Sequence, residues 1–331
     1  MFYPYRRLIL HFKLLWYHIV FYSFPTLEES YYANLGITYF ELEQYKKAIT
    51  KFKKAEDCNG DKDSTFTKYS AYYIGYSYLN LGIHREAVKY FDKYLSFEPN
   101  DSEIIEFVGW CNLLLYQKEA ALRSYLRLAE LEPKKPTYLI ESAKILFELN
   151  KKNEALKQLD LVKKLNYSSA FHLIADSLRY RFNNDLDHAI SILERALTES
   201  SLNEDELLYS KLGDLYILLS EYKKEQGDLR GTILVLENLC KIMPDDYWAI
   251  NCLSFEYADQ NIKLENAMEK INRCLKYQPE NSFFIDTKSW VLFRMGRAKE
   301  AIVLLEKSLE LNPNAKETQA HYRQVKDQLG I

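Results

Sequence analysis

Glycine and proline are scarce: ten and eight in a chain of 331 residues. A sandwich or barrel of short strands needs many tight turns, and this chain lacks the residues that make them, so long helices are favoured. Cysteine is also sparse. The five thiols, Cys58, Cys111, Cys240, Cys252 and Cys274, are odd in number and contain no CxxC pair. Neither a disulfide framework nor a zinc site is signalled, and the compartment is read as reducing. An excess of one charge is missing too. Lys and Arg total 44 against 47 Asp and Glu, a net charge of −3, which lacks the basic surplus of a nucleic-acid binder. The apolar stretch over residues 8–22, LILHFKLLWYHIVFY, is 15 residues long and carries His11, Lys13 and His18. A membrane span needs about 20 apolar residues, and a central charge is costly in lipid. Arg6 and Arg7 precede the stretch and no small-residue cleavage site comes after it. It therefore reads either as an aromatic helix packing on the chain's own first helices or as a membrane anchor.

Catalytic signatures are absent as well. The six histidines, His11, His18, His84, His172, His188 and His321, form no pair at i+3 or i+4 spacing, and no H-E-x-x-H occurs. There is no G-x-G-x-x-G, no phosphate-binding glycine loop and no G-x-S-x-G. The expectation is a protein that is not an enzyme and takes no cofactor and no metal. His84 and His188 fall beside expected turns and are read as exposed.

The chain is rich in aromatic side chains, 27 Tyr, 17 Phe and four Trp, and it has an internal period. Small residues recur at Gly36, Gly75 and Gly109. Ala48, Ala87 and Ala121 come twelve residues later, and Phe52, Phe91 and Tyr125 four beyond that. Prolines close the units at Pro99, Pro133, Pro244, Pro279 and Pro313, in steps of 34 or 35 within the pairs 99–133, 244–279 and 279–313. The small residue lets one helix approach its neighbour closely, the alanine answers it, and the proline ends the second helix. A single such hairpin cannot bury its faces, so the units must stack.

This pattern resembles the tetratricopeptide repeat over about residues 29–313, with the last repeats similar to the tandems of bacterial members. The first repeat matches the family positions with Tyr32, Leu35, Gly36, Tyr39, Ala48, Phe52 and Ala55; the eighth matches with Ser289, Leu292, Gly296, Ala301, Leu305 and Pro313. The resemblance implies an all-α fold: a right-handed α-solenoid of about eight helix-turn-helix repeats with a C-terminal capping helix. Residues 1–27 form the N-terminal aromatic helix, 28–201 repeats one to five, 202–313 repeats six to eight, and 314–331 the cap. Two units depart from the pattern. In repeat five Ala175 and Ala189 are fourteen residues apart, which suggests a longer turn. In repeat six Gly213 and Thr232 are 19 apart, which suggests a lengthened first helix.

The family's concave face is lined by the first helix of each unit. Mapped onto this chain, that face carries Tyr72, Tyr76, Trp110, Phe147, Trp248, Phe255, Trp290 and Phe293. The packing positions are filled separately, so these aromatics point to a binding groove. The residues that match a chaperone-tail clamp are Ala33, Ile37, Tyr72, Tyr73 and Glu103, which cannot hold a terminal carboxylate. The expected function is a non-enzymatic interaction scaffold, cytoplasmic, with a protein or peptide in an aromatic-rich groove. The alternative is a membrane-tethered assembly or secretion factor anchored by residues 1–22. Glu106, Lys144, Asp286 and Arg294 give the groove mixed charge. The ligand is accordingly expected to be an apolar or aromatic-bearing peptide or helix with little salt dependence.

Overall fold

A computed structural model describes residues 28–58, 65–165, 169–199 and 212–331, together with Lys13 and Tyr17. The rest of the N-terminal stretch, to which the anchor and packing readings apply, lies outside the described residues. Among the described residues there are only helices and no strand, and no helix is long and apolar enough to cross a membrane. The fold is an all-α repeat solenoid. The chain divides into two compact units, Met1–Leu115 and Tyr116–Ile331.

The first unit holds α1 (Glu28–Glu41), α2 (Tyr45–Cys58), α3 (Thr65–Leu81), α4 (His84–Leu95) and α5 (Ser102–Leu114). The second holds α6 (Lys118–Leu131), α7 (Pro136–Glu148), α8 (Lys152–Lys164), α9 (Ser169–Phe182), α10 (Leu186–Glu199), α11 (Leu212–Gln226) and α12 (Leu229–Ile242). It continues with α13 (Tyr247–Asp259), α14 (Leu264–Tyr277), α15 (Ser282–Arg294), α16 (Ala298–Leu311) and α17 (Lys316–Leu329).

Hairpins form where the sequence places small residues opposite rings. A Cβ added at Gly36 would lie 2.9 Å from the Phe52 ring, and one at Gly75 would lie 2.6 Å from the Phe91 ring. Both phenyl rings are fully buried, so glycine is what lets α1 meet α2 and α3 meet α4. The second helix of each hairpin buries one stripe: Ala48, Ile49, Phe52 and Ala55 in α2, and Ala267, Ile271 and Cys274 in α14. The first helix is sandwiched between neighbours and buries most of its circumference, as in α15, where ten of thirteen residues are buried.

The turns share one device. A residue with left-handed φ comes after the first helix at Glu43, Gly82, Tyr116, Asn150, Asn184, Gly227, Asn261 and Gly296. In most of these turns the next N–H donates five residues back, as Ile83 N does to Tyr78 O at 2.9 Å and Arg297 N to Leu292 O at 2.9 Å. This geometry satisfies carbonyls that the helix end would otherwise leave bare. Three first helices, α5, α13 and α15, start on side-chain caps: Asp101, Asp246 and Asn281 each accept from the opening N–H groups.

The turns correct the reading of repeats five and six. Asn184 is left-handed, and the small residue seven before it is Ser177, which lies twelve from Ala189. Ser177 Oγ donates to Ala189 O at 3.1 Å, so serine fills the small position and the turn keeps its ordinary length. In repeat six the turn is at Gly227, and the small residue is Ser220, again twelve from Thr232. Thr232 Oγ1 donates to Ser220 O at 3.4 Å. Gly213 faces elsewhere: a Cβ there would lie 2.8 Å from Asp246 Oδ2, in the loop before α13. The surplus residues between the two turns precede Ser220, and part of them, 200–211, lies outside the described residues.

Candidate functional site

The second unit contains a cavity of about 420 Å³ bordered by α11, α12, α13, α15, α17 and Tyr116. That volume is in the range of ligand sites. Three of these helices are first helices of their hairpins. The terminal helix α17 packs on α15 and α16 and takes the place a further first helix would occupy.

Aromatic faces and paired charges make up the walls. Trp248 meets Phe283 edge-on at 5.4 Å, and Tyr116 stacks on Phe283 at 6.5 Å. The Tyr116 hydroxyl donates to Glu317, and burial together with that carboxylate raises the phenol's pKa above its usual value. Lys224 Nζ donates to Glu256 Oε1 at 2.6 Å and lies 5.0 Å from the centre of the Phe255 ring. His321 Nδ1 is 3.1 Å from both oxygens of Asp286, while its ring stacks on Trp290 at 4.2 Å. Glu221 is open to solvent in the groove yet surrounded by protein. Burial raises its carboxyl pKa, against the pull of Lys144. Asn251 and Glu256 are buried, and Asn251 Oδ1 and Glu256 Oε2 have no protein hydrogen-bond partner.

The residues read from the sequence as one groove fall into separate places. Trp248 and Phe255 border the cavity. Trp290 and Phe293 do not: they are 4% and 8% exposed, stack at 5.2 Å, and belong to the core beneath α17. The groove face of the last repeat is the surface on which the terminal helix lies, which is why these two positions are buried. Phe147 is half-buried and stacks on Phe182 at 4.0 Å, with the Arg181 guanidinium 5.9 Å from its ring centre.

Tyr72, Tyr76 and Trp110 are in the first unit and half-buried. Tyr76 packs on Phe91 and Phe107, each at 5.4 Å, and donates to Glu103 at 2.6 Å. Trp110 meets His84 edge-on at 5.4 Å. His84 itself corrects an expectation. It is buried at the start of α4, and desolvation pushes its pKa down to about 4.

Tyr116, Glu256, Glu317 and His321 are cavity residues that the repeat pattern does not single out, whereas Phe283 holds the register position of Trp248, 35 residues on, and Lys224 that of Phe293 once Ser220 sets the register. Tyr116 is a turn residue, and Glu317 and His321 lie beyond the last repeat, so the 34-residue register gives no signal for them. Charge in the cavity also differs from the mixed pattern expected. Among the described residues its border carries the carboxylates of Glu221, Glu256, Asp286 and Glu317 and the ammonium of Lys224. Arg294 sits outside it and donates to Asp259 O at 3.1 Å. Among the described residues no group of three or more His, Cys, Asp and Glu is arranged to hold a metal ion.

Comparison with known proteins agrees with the repeat register. Family models of the tetratricopeptide repeat match residues 29–59, 69–101 and 286–315. Anaphase-promoting complex subunit 3 of Schizosaccharomyces pombe is 29% identical over 140 residues, 42% of this chain and 20% of that protein. A TPR repeat-containing protein of Pseudomonas aeruginosa is 24% identical over 173 residues, 51% of this chain and 28% of that protein. The chain thus spans less than a third of the length of either curated relative. A tetratricopeptide repeat protein from Parabacteroides merdae superposes with a TM-score of 0.45 at 14% identity, over 78% of this chain and 98% of that one.

Proposed function

Since this chain is a tetratricopeptide repeat protein, we propose that it is a non-enzymatic scaffold holding a peptide or protein segment in the cavity of its second unit. The cavity carries the reading. It is about 420 Å³, lined by first helices, and walled by the half-buried rings of Trp248, Phe255 and Phe283. Rings presented on a concave surface give large contact area at low conformational cost and are common hot spots. The aromatic cluster around Tyr72, Tyr76 and Trp110 is mostly engaged in packing within its own unit, so it is a second surface rather than the main one.

The test is selection of peptides from a displayed random library on the full chain. Selected peptides should lose at least about thirtyfold in affinity with Phe255→Ala, the loss expected of a hot spot near 2 kcal/mol. Helicity should stay unchanged, and Tyr76→Ala should have little effect. Peptides that ignore Phe255 and Trp248 but respond to Tyr76 would move the site to the first unit. No selected peptide at all would end the peptide-holding reading.

A further inference from the structure

In the first unit the two sides of α2 are occupied differently. Ile49, Lys53 and Glu56 meet the next hairpin. Ile49 shares a core cluster with Ile74 and Leu81, Lys53 Nζ donates to the Tyr78 hydroxyl at 3.0 Å, and Glu56 accepts from Lys93 at 2.9 Å. Lys47, Lys51 and Lys54, at i, i+4 and i+7, form a stripe on the opposite side of the helix. Two half-buried tyrosines of α1, also seven residues apart, lie under that stripe. Lys47 is 5.5 Å from the centre of the Tyr39 ring, and Lys51 and Lys54 are each 5.6 Å from that of Tyr32. Lys47 also donates to Gln44 Oε1 at 2.9 Å. Among the described residues none of these three ammoniums is paired with a carboxylate. Burial and the neighbouring Lys54 charge lower the Lys51 pKa, a repulsion that an incoming anion would relieve.

The second hairpin presents the same face to α2. Tyr78, Tyr90 and Lys93 come 39 residues after Tyr39, Lys51 and Lys54, the spacing of Gly75 from Gly36. A helix lies against them: α2 brings Lys53 to both tyrosine rings and Glu56 to Lys93. The first hairpin carries three ammoniums on this face, so a helix that stacks there must be acidic. Residues 1–27 contain Arg6, Arg7 and Lys13 but no Asp or Glu, and cannot supply the carboxylates. We infer that this outer face of the first hairpin docks an acidic helix of a partner protein, with carboxylates at i, i+4 and i+7 pairing with Lys47, Lys51 and Lys54. The stripe spans about 10 Å of α2 at a rise of 1.5 Å per residue, so two turns of a helix lying alongside repeat its spacing. Each ammonium has three donors, and the tyrosine face on one side leaves others directed at the partner. Docking here does not depend on a peptide held in the cavity of the second unit.

The experiment uses immobilised full-length protein and pools of alanine-rich helical peptides of about 20 residues, long enough to hold a helix in water. Three positions are fixed and the others are partly randomised. One pool has Glu at i, i+4 and i+7, a second has the same three Glu spread around the helix, and a third has Gln in the stripe. The striped Glu pool should be retained about tenfold over the Gln pool, since partly exposed ion pairs contribute about two- to threefold each. It should also lead the spread pool. The double substitution Lys51→Gln and Lys54→Gln changes surface side chains, keeps helicity, and should cut the preference to about twofold. Lys68→Gln, whose ammonium pairs with Glu98 at 2.7 Å, should leave it unchanged. Salt at about 0.5 M should remove it. Equal retention of striped and spread pools overturns the inference, because charge alone then suffices. So does a striped preference that survives the double substitution, or no preference for Glu over Gln. Lysine-dependent binding to phosphatidylserine vesicles without any pool preference assigns the face to a lipid surface and overturns it as well.

Discussion

Replacing Trp290 by alanine should damage the fold, whereas replacing Trp248 should damage binding. Trp290 is 4% exposed, stacked between His321 at 4.2 Å and Phe293 at 5.2 Å. A buried indole removes about 150–250 Å² from water. At about 25 cal/mol per Å² that amounts to about 4–6 kcal/mol of transfer free energy. Truncations of buried aromatic rings in well-packed cores cost about 3–5 kcal/mol. In an array whose hairpins touch mainly their neighbours, such a loss melts the last hairpin and α17 before the rest. Trp248 is half-buried beside Phe283 and Phe284, and its truncation should cost only about 1–2 kcal/mol of stability. The assay is urea denaturation monitored by circular dichroism, with hydrogen exchange resolved over α15 to α17. Trp290→Ala should show early exchange there and a lowered first transition; Trp248→Ala should keep both and lose peptide retention. If Trp290→Ala unfolds like the parent chain, the ring is not part of the core and the covering role of α17 is wrong. Equal destabilisation by both substitutions would refute the distinction between them.

Gly75→Ala should destabilise the first unit by about 1–3 kcal/mol, since the added methyl lies 2.6 Å from the fully buried Phe91 ring and overpacking outweighs the gain of up to about 1 kcal/mol in helix propensity; a raised urea midpoint would contradict this. His84 is held neutral by burial, with its pKa pushed down to about 4. Its contribution is therefore present above pH 6.5 and lost as pH falls toward 4, by up to about 3 kcal/mol. His84→Leu should make the first unit less acid-sensitive between those pH values, measured as the difference between urea midpoints at pH 7 and pH 4.5. Tyr116→Phe keeps the ring against Phe283 but removes the donor to Glu317, at an expected cost of about 1 kcal/mol. Faster amide exchange at the start of α17 is the readout.

Most of the fold was legible because packing imposes the period. Gly36 with Phe52 and Gly75 with Phe91 are contacts that the sequence states directly, sixteen residues apart each time. Legibility failed where a different residue type does the same physical work. Ser177 and Ser220 fill the small position without being glycine or alanine, so a pattern of glycines and alanines places the register of repeats five and six on Ala175 and Gly213 instead. The candidate site was less legible than the fold. Trp248, Phe255, Asn251 and Asp286 agree with the repeat register because each lies on the inward side of a first helix. Trp290 and Phe293 have the same register and a different fate, because α17 covers them. Burial of those two rings depends on the helix beyond the last repeat, and a rule that reads each unit alone does not see it. Tyr116, Glu317 and His321 enter the cavity through the chain's path and not through its period.

The same geometry decides how salt acts on binding. A groove of mixed charge predicts little salt dependence, but the cations counted in it are already committed. Lys144 is 3.0 Å from Glu141, Arg294 donates to a backbone carbonyl, and Lys224 is held by Glu256. An approaching ligand therefore meets a carboxylate surplus. At physiological ionic strength charges are screened over about 8 Å, so this surplus guides a cationic peptide only near the cavity mouth, and added salt weakens that guidance. A peptide seated as proposed would lie against the half-buried rings of Trp248, Phe255 and Phe283, where screening by salt is weak. On the proposed reading salt should slow association and leave dissociation nearly unchanged, whereas truncating a wall ring should speed dissociation. The two halves of the site, acidic rim and aromatic wall, act on different rate constants. A ligand that fits the wall but carries no positive charge would bind slowly, since it forgoes the guidance, and leave no faster than its ring contacts allow.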